Sequence, residues 1–261
     1  MTEAGIYVYA VSRGLPHHPP ARARGVGGAP VRVLEECGLA AVVSTVSLAE
    51  FGEEALRHNL EDLGWLESTA RAHHAVIDDA AASAVILPLR LVTIYRDDQR
   101  VRDVLRERNE EFARALDRIT GRTEWGVKGY ADPQELMRSD ATAGDTAGGR
   151  PGTSYLLRRR AERHSEEEAR SEATDCAERI DTALRDLAAA RCLHPPQDPQ
   201  LSGHQGWMIL NAAYLVDDTR AEDFRAAVAS LADLRPGIRL QLTGPWAPYS
   251  FATEEESWTG S

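Results

Sequence analysis

One lysine, three cysteines and no long apolar run are found in this sequence, and each scarcity excludes something. No stretch approaches the ~20 apolar residues that cross a bilayer, so no membrane-spanning role is expected. The opening Met1-Thr2-Glu3-Ala4-Gly5 lacks the basic start of a secretory leader, and the expectation is a soluble, cytoplasmic chain. Cys37, Cys176 and Cys192 are odd in number and form no C-x-x-C pair, which argues against a disulfide framework or a zinc ribbon. Basic residues number 30 against 41 acidic ones, a formal charge of −11, so nucleic acid is not expected as the main partner. Because Lys128 is the only lysine, almost all positive charge sits on arginine, whose planar fork suits carboxylates.

Signature motifs of catalysis are also missing. The sequence has no G-x-S-x-G elbow, no H-E-x-x-H, no G-x-x-x-x-G-K-[ST] and no D-x-D-x-D-G loop. Gly25-Val26-Gly27-Gly28 follows a strand-like run but precedes another strand rather than a helix N-terminus, which makes a poor phosphate cradle. The best polar constellation is His73-His74 with Asp78, since His74 and Asp78 lie four residues apart on one helix face. His73 falls on the apolar stripe as a core histidine would, and no third ligand stands at zinc-like spacing. No cofactor or metal is expected. The paired carboxylates Glu35-Glu36 and Asp78-Asp79 point different ways in a strand or helix. His17-His18 sits in a proline-rich loop, and His58 lies near Glu61 and Asp62 on a surface helix.

At 261 residues the chain has room for one or two domains. Ile6 to Val11 is rich in β-branched and aromatic residues and reads as a largely buried strand. Val31 to Glu36 and Leu39 to Val46 form a hairpin across Cys37-Gly38. Leu56, Leu60, Leu63, Leu66, Ala70, His73 and Ile77 then recur at helical spacing, with Gly64 as a candidate break. Val85 to Leu91 is a short apolar run whose Pro88 confines it to a sheet edge or a bulge. Asp97 or Asp98 caps a further helix with Val101, Leu105, Arg108, Phe112, Leu116 and Ile119 inward, and Glu124 to Tyr130 is a last strand. This order is that of a ferredoxin-like sandwich with an added strand, over residues 1–138.

Residues 139–152 carry no large apolar side chain and read as a flexible linker. A C-terminal α+β domain follows over residues 153–243. It opens with one long helix from Ser154 to Leu193, whose first half holds four-residue pairs such as Arg158/Glu162 and whose second half buries Ala173, Cys176, Ala177, Ile180, Leu184 and Leu187. Trp207 to Val216 reads as a central strand, Thr219-Arg220-Ala221-Glu222 as a capping box, and Ile238, Leu240 and Leu242 as the inward side of a half-buried strand. Residues 244–261 form a tail with Trp246, Tyr249 and Phe251, whose rings are each worth about 2 kcal/mol when buried, so it is expected either to pack back on the protein or to meet a partner. Trp258 among Glu254-Glu255-Glu256 is expected to fray.

Five segments in order resemble the gas vesicle protein F/L family. They are Tyr7-Val8-Tyr9-Ala10-Val11, Leu87-Pro88-Leu89-Arg90, Gly121 to Lys128, Ser154 to Arg160 with its Arg158-Arg159-Arg160 triplet, and Leu242 to Phe251. The sequence departs from the family pattern at Leu91-Val92, Gly129-Tyr130 and Ala247. The resemblance implies an α+β protein of two domains: an N-terminal modified ferredoxin-like sandwich, and a C-terminal α+β domain with a docking tail. It implies no enzymatic activity. The implied role is accessory or minor structural, on the gas-facing side of the vesicle shell or in binding the small hydrophobic shell protein and other accessory proteins during assembly. Partner-binding candidates are then Arg158, Arg159, Arg160, Trp246, Tyr249 and Phe251, with Pro88 and Arg90 at the strand edge. The alternative is a ferredoxin-like hydrolytic or small-molecule-binding enzyme using His73, His74 and Asp78.

Overall fold

The N-terminal apolar run becomes strand β1 (Ala4–Ser12), which the computed structural model shows buried along nearly its whole length. The structure describes residues 3–15, 24–141, 151–196, 206–232 and 235–252, with side chains from 139 to 163 outside that set. His17, His18 and Trp258 therefore lie outside the described residues.

A strand buried on both sides needs cover on both faces. β2 (Val31–Glu36) and β3 (Leu39–Ser47) form the expected hairpin, with φ of 50° at Cys37 and 77° at Gly38, as a turn with two left-handed residues requires. The antiparallel sheet runs β2-β3-β1-β4, where β4 is Ile86–Pro88, and a short β5 (Ile94–Tyr95) also pairs with β1. Pro88 sits opposite Ala10 on that outer strand, where its missing donor leaves no ladder bond broken. Tyr7, Val31 and Val42 pack with Val76, Ile77 and Ala80 of helix α3 (Leu63–Ala81). Arg32, paired in register with Val43 and so on the opposite face, meets Asp98 of helix α4 (Asp98–Glu107). Helices on both faces, and a loop instead of a helix between β1 and β2, are what modify the ferredoxin-like plan.

Two helices differ from expectation because of local caps. After α1 (Leu48–Phe51) and α2 (Glu53–Asn59), the chain breaks at Leu60 to Asp62, and Asp62 Oδ1 accepts the N–H groups of Gly64 and Trp65 at 2.8 and 3.2 Å. Gly64 is thus in the first turn of α3 rather than a breaker. Leu60 and Leu63, expected on the buried stripe, are 46% and 80% exposed, while α3 buries Thr69, His73, Val76, Ile77 and Ala80. The next stripe bends at Arg108, whose guanidinium pairs with Glu111 and stands 5.1 Å from the Phe112 ring centroid, separating α4 from α5 (Asn109–Ile119). Asp97 is the cap, accepting the Arg100 N–H at 2.7 Å.

The chain divides into two compact units, Met1–Gly121 with Ala247–Ser261, and Arg122–Trp246. The boundary expected within 139–152 therefore falls at Gly121. Strand β6 (Arg122–Ala131), expected to close the first sheet, instead runs ten residues alongside β8 (Trp207–Asp217) and pairs on its other side with β9 (Ile238–Trp246). Of the expected linker, residues 142–150 lie outside the described residues, between α6 (Pro133–Ala141) and α7 (Pro151–Arg185). The long helix ends at Arg185, short of Leu193, because Ala190–Leu193 becomes β7, pairing with β8 and flanked by Ala189 N–H to Leu215 O at 2.7 Å and His194 N–H to Asn211 O at 2.8 Å. The second sheet runs β7-β8-β6-β9. Ala169, Ala173, Cys176, Ile180 and Leu184 of α7 and Phe224 and Val228 of α8 (Ala221–Ala232) complete its core with Trp125, Val127 and Tyr214. Gly244, Pro245 and Trp246 belong to β9, so the docking tail begins at Ala247.

Gly25 shows why glycine stands before β2: a Cβ there would lie 2.2 Å from Tyr9 Oη, the buried hydroxyl that accepts the Val26 N–H at 2.9 Å. Gly25→Ala is expected to cost about 2 kcal/mol through this overlap. Tyr9→Phe, which strands Val26 N–H and Ser44 Oγ, is expected to cost about 1–3 kcal/mol. Urea unfolding of the full chain measures both, and unchanged midpoints would remove the clamp from the account.

Candidate functional site

Tyr7 and Tyr9 alternate with Val8, so both rings face α3. Tyr7 Oη accepts the Val92 N–H at 2.9 Å, which leaves its own proton to donate to His73 Nδ1 at 3.0 Å. That assigns His73 as the neutral tautomer with its proton on Nε2. Burial, reinforced by neighbouring His74 and opposed by the Leu89 backbone, lowers His73 from 6.5 to about 4. Burial likewise pushes the Tyr7 and Tyr9 phenols upward.

The tail docks on this cluster. Ala247 and Tyr249 pack against the first core, and Phe251 is buried. Tyr249 Oη lies 3.2 Å from His74 Nδ1, and its ring centroid is 5.2 Å from His74 and 6.2 Å from His73. Phe251 joins Phe112, Ala115, Arg114, Arg118 and Glu111 around a small cavity of about 170 Å³ beside α5.

The expected contact residues thus separate by environment. Pro88 and Phe251 are buried and Tyr249 is half-buried, so all three serve the first unit internally. Arg90 is exposed, with its carbonyl accepting from Thr93 Oγ1 at 2.8 Å. Trp246, at the end of β9, remains 51% exposed. Arg158, Arg159 and Arg160 are on α7, and their side chains lie outside the described residues.

The alternative catalytic trio does not converge. His73 is in the core facing Tyr7, while His74 and Asp78 are exposed, and no group of three or more His, Cys, Asp or Glu among the described residues is placed to hold a metal ion. The glycine cluster is a cap on Tyr9, not an anion loop. Sequence reasoning missed the exposed pair Leu60 and Leu63, although the cap-forming Asp62 between them marks the helix break. It also missed the hydroxyl roles of Tyr7 and Tyr9, for which β-strand periodicity alone carries no signal.

The histidine gives a signed pH dependence. An unfolded imidazole takes up its proton near 6.5 and the folded one only near 4, so the unfolded state binds more protons between these values. Stability is full above the upper value and falls as pH drops, by about 3 kcal/mol when the lower value is reached. His73→Leu is expected to flatten that slope in urea midpoints measured across the same range; an unaltered slope would remove His73 as its source.

Comparison with known proteins gives a consistent answer. The family model described as gas vesicle synthesis protein GvpL/GvpF matches residues 5–253. Gas vesicle protein L of Streptomyces sp. (strain CB03234) is 44% identical over 246 residues, 94% of this chain and 92% of that one. Gas vesicle protein F of the same strain is 31% identical over 257 residues, 94% of this chain and 98% of that one. The crystal structure of GvpF from Anabaena sp. PCC7120 superposes with a TM-score of 0.69 at 19% identity, covering 99% of this chain and 100% of that one, which shows a shared fold. GvpF from Microcystis aeruginosa superposes at 0.65 with 18% identity over 96% of this chain and 99% of that one. On the family match and the two Streptomyces relatives, the chain belongs to the gas vesicle GvpL/GvpF family.

Proposed function

We propose that this chain is a non-enzymatic accessory or minor structural protein of gas vesicle assembly, one that binds the small hydrophobic shell protein and other accessory proteins as the vesicle nucleates and grows. Its place is then the cytoplasm and the gas-facing side of the shell. The identity of 44% to an L protein, against 31% to an F protein of the same strain, supports an L-type member.

The observation that carries this reading is Trp246. A half-exposed tryptophan at the end of a strand is unusual on a solvated surface and common at contact sites, where aromatic rings supply much of the binding energy. The docked tail narrows the earlier set: Tyr249, Phe251 and Pro88 are engaged within their own unit, leaving Trp246, Arg90 and Arg158 to Arg160 as contact candidates. An overall charge of −11 keeps such a protein in solution while it holds an aggregation-prone partner.

Co-purification of the shell protein tests this. Removing all residues after Thr243 would also remove the end of β9 and the core residue Phe251, so a point change is cleaner. Trp246→Ser is expected to lower recovery about tenfold, the effect of losing one interface anchor, with the thermal midpoint held. Equal recovery by the variant would remove Trp246 from the interface, and equal recovery by an unrelated acidic protein would sink the binding role.

A further inference from the structure

The apolar stripe that opens at Leu56 is only partly used by the core. Its C-terminal half, in α3, closes over Tyr7 and Val42, but Leu60 and Leu63 stand outward at the corner between α2 and α3. Leu56 and Trp65, from the same two helices, are part-buried and packed against the first core. The Trp65 ring is 5.4 Å from that of Phe51, and its Nε1–H donates to Glu50 Oε1 at 2.9 Å. Two exposed leucines three residues apart at one corner are apolar surface that no core residue covers.

The segment around these leucines is predominantly acidic. From Glu50 to Glu67 the chain carries Glu50, Glu53, Glu54, Glu61, Asp62 and Glu67 against Arg57 as the one Lys or Arg. Arg57 is taken by Glu53, and Glu67 is paired with Arg71 from the next turn. Glu54 and Glu61 are exposed, and no ion pair holds either among the described residues. A second copy of this chain would bring the same acidic rim against itself, which charge repulsion opposes.

From this juxtaposition we propose that the α2–α3 corner docks a basic amphipathic helix of a partner protein, its apolar residues covering Leu60 and Leu63 and its Arg or Lys side chains meeting Glu54 and Glu61. An amphipathic helix docks by laying apolar residues on exposed apolar side chains, and flanking cations on it would be complementary to the acids of this segment. The proposal uses residues of the first unit alone and stands whether or not the shell-protein reading holds.

The test uses the full chain and a fluorescein-labelled synthetic Leu/Lys amphipathic helix, with a Leu/Glu helix of the same pattern as control, read by anisotropy. The Leu/Lys peptide is expected to bind saturably and more weakly as salt rises. The double variant Leu60→Ser, Leu63→Ser is expected to weaken it about tenfold with the chain still folded by its thermal transition, since Leu63 is 80% and Leu60 46% exposed. Glu54→Gln with Glu61→Gln is expected to weaken it and to reduce the salt dependence. Equal affinity for the serine variant would show only general attraction to an acidic protein and overturn the proposal. Equal binding of the Leu/Glu helix would also overturn it. So would a concentration-dependent dimer of the chain that the serine changes abolish, which would make the corner a self-interface.

Discussion

The first unit depends on how two buried hydroxyls in β1 are satisfied. Tyr9 Oη accepts Val26 N–H and lies 2.7 Å from Ser44 Oγ, and Tyr7 Oη accepts Val92 N–H while facing His73. A buried polar group without a partner costs about 1–3 kcal/mol, so each hydroxyl both needs and enforces the loop that meets it. One clamp holds the turn before β2, where Gly25 must approach within the reach of a missing Cβ. The other holds the segment after β4, where Val92 takes a φ of 65° that a β-branched residue seldom adopts. Two irregular segments far apart in sequence are thus fixed by two residues of one strand.

The same cluster prepares the surface on which the tail rests. His73, neutral and nearly inaccessible, presents its ring beside His74, and the Tyr249 ring stands against both. The arrangement uses the C-terminal aromatics as a seal rather than as free contacts. Trp246 differs because it still belongs to β9 of the second sheet, and the tail that docks begins one residue later.

Charge distribution complements this division between sealed and open apolar surface. Several arginines among the described residues are committed to carboxylates: Arg13 with Asp117, Arg191 with Asp181 and Arg235 with Glu172. Asp181 also accepts the Tyr214 hydroxyl at 2.8 Å, and burial followed by that bond raises the Tyr214 phenol well above its ordinary range. The α2–α3 corner is one place where acids outnumber bases locally, in keeping with the net charge of −11.

The sequence by itself determined what depends on near neighbours. Cys37-Gly38 dictated the hairpin through two left-handed residues, Pro88 dictated an outer strand, and the unbroken apolar run from Trp207 dictated a central one. The family was legible for the same reason, since its segments are short and contiguous. Only the tertiary structure decided matters that turn on distant partners. Glu124 to Tyr130 reads as a strand in either sheet, and the ten-residue register with β8 placed it in the second. Ala190 to Leu193 continues a helical pattern, yet ladder bonds to β8 made it a strand. Leu60 and Leu63 share a periodic stripe with His73 and Ile77, but Asp62 caps a new helix between them, and periodicity cannot report a change of axis. Local preference selects the element; which sheet it joins and which face it buries follow from hydrogen bonds and packing that only the folded chain supplies.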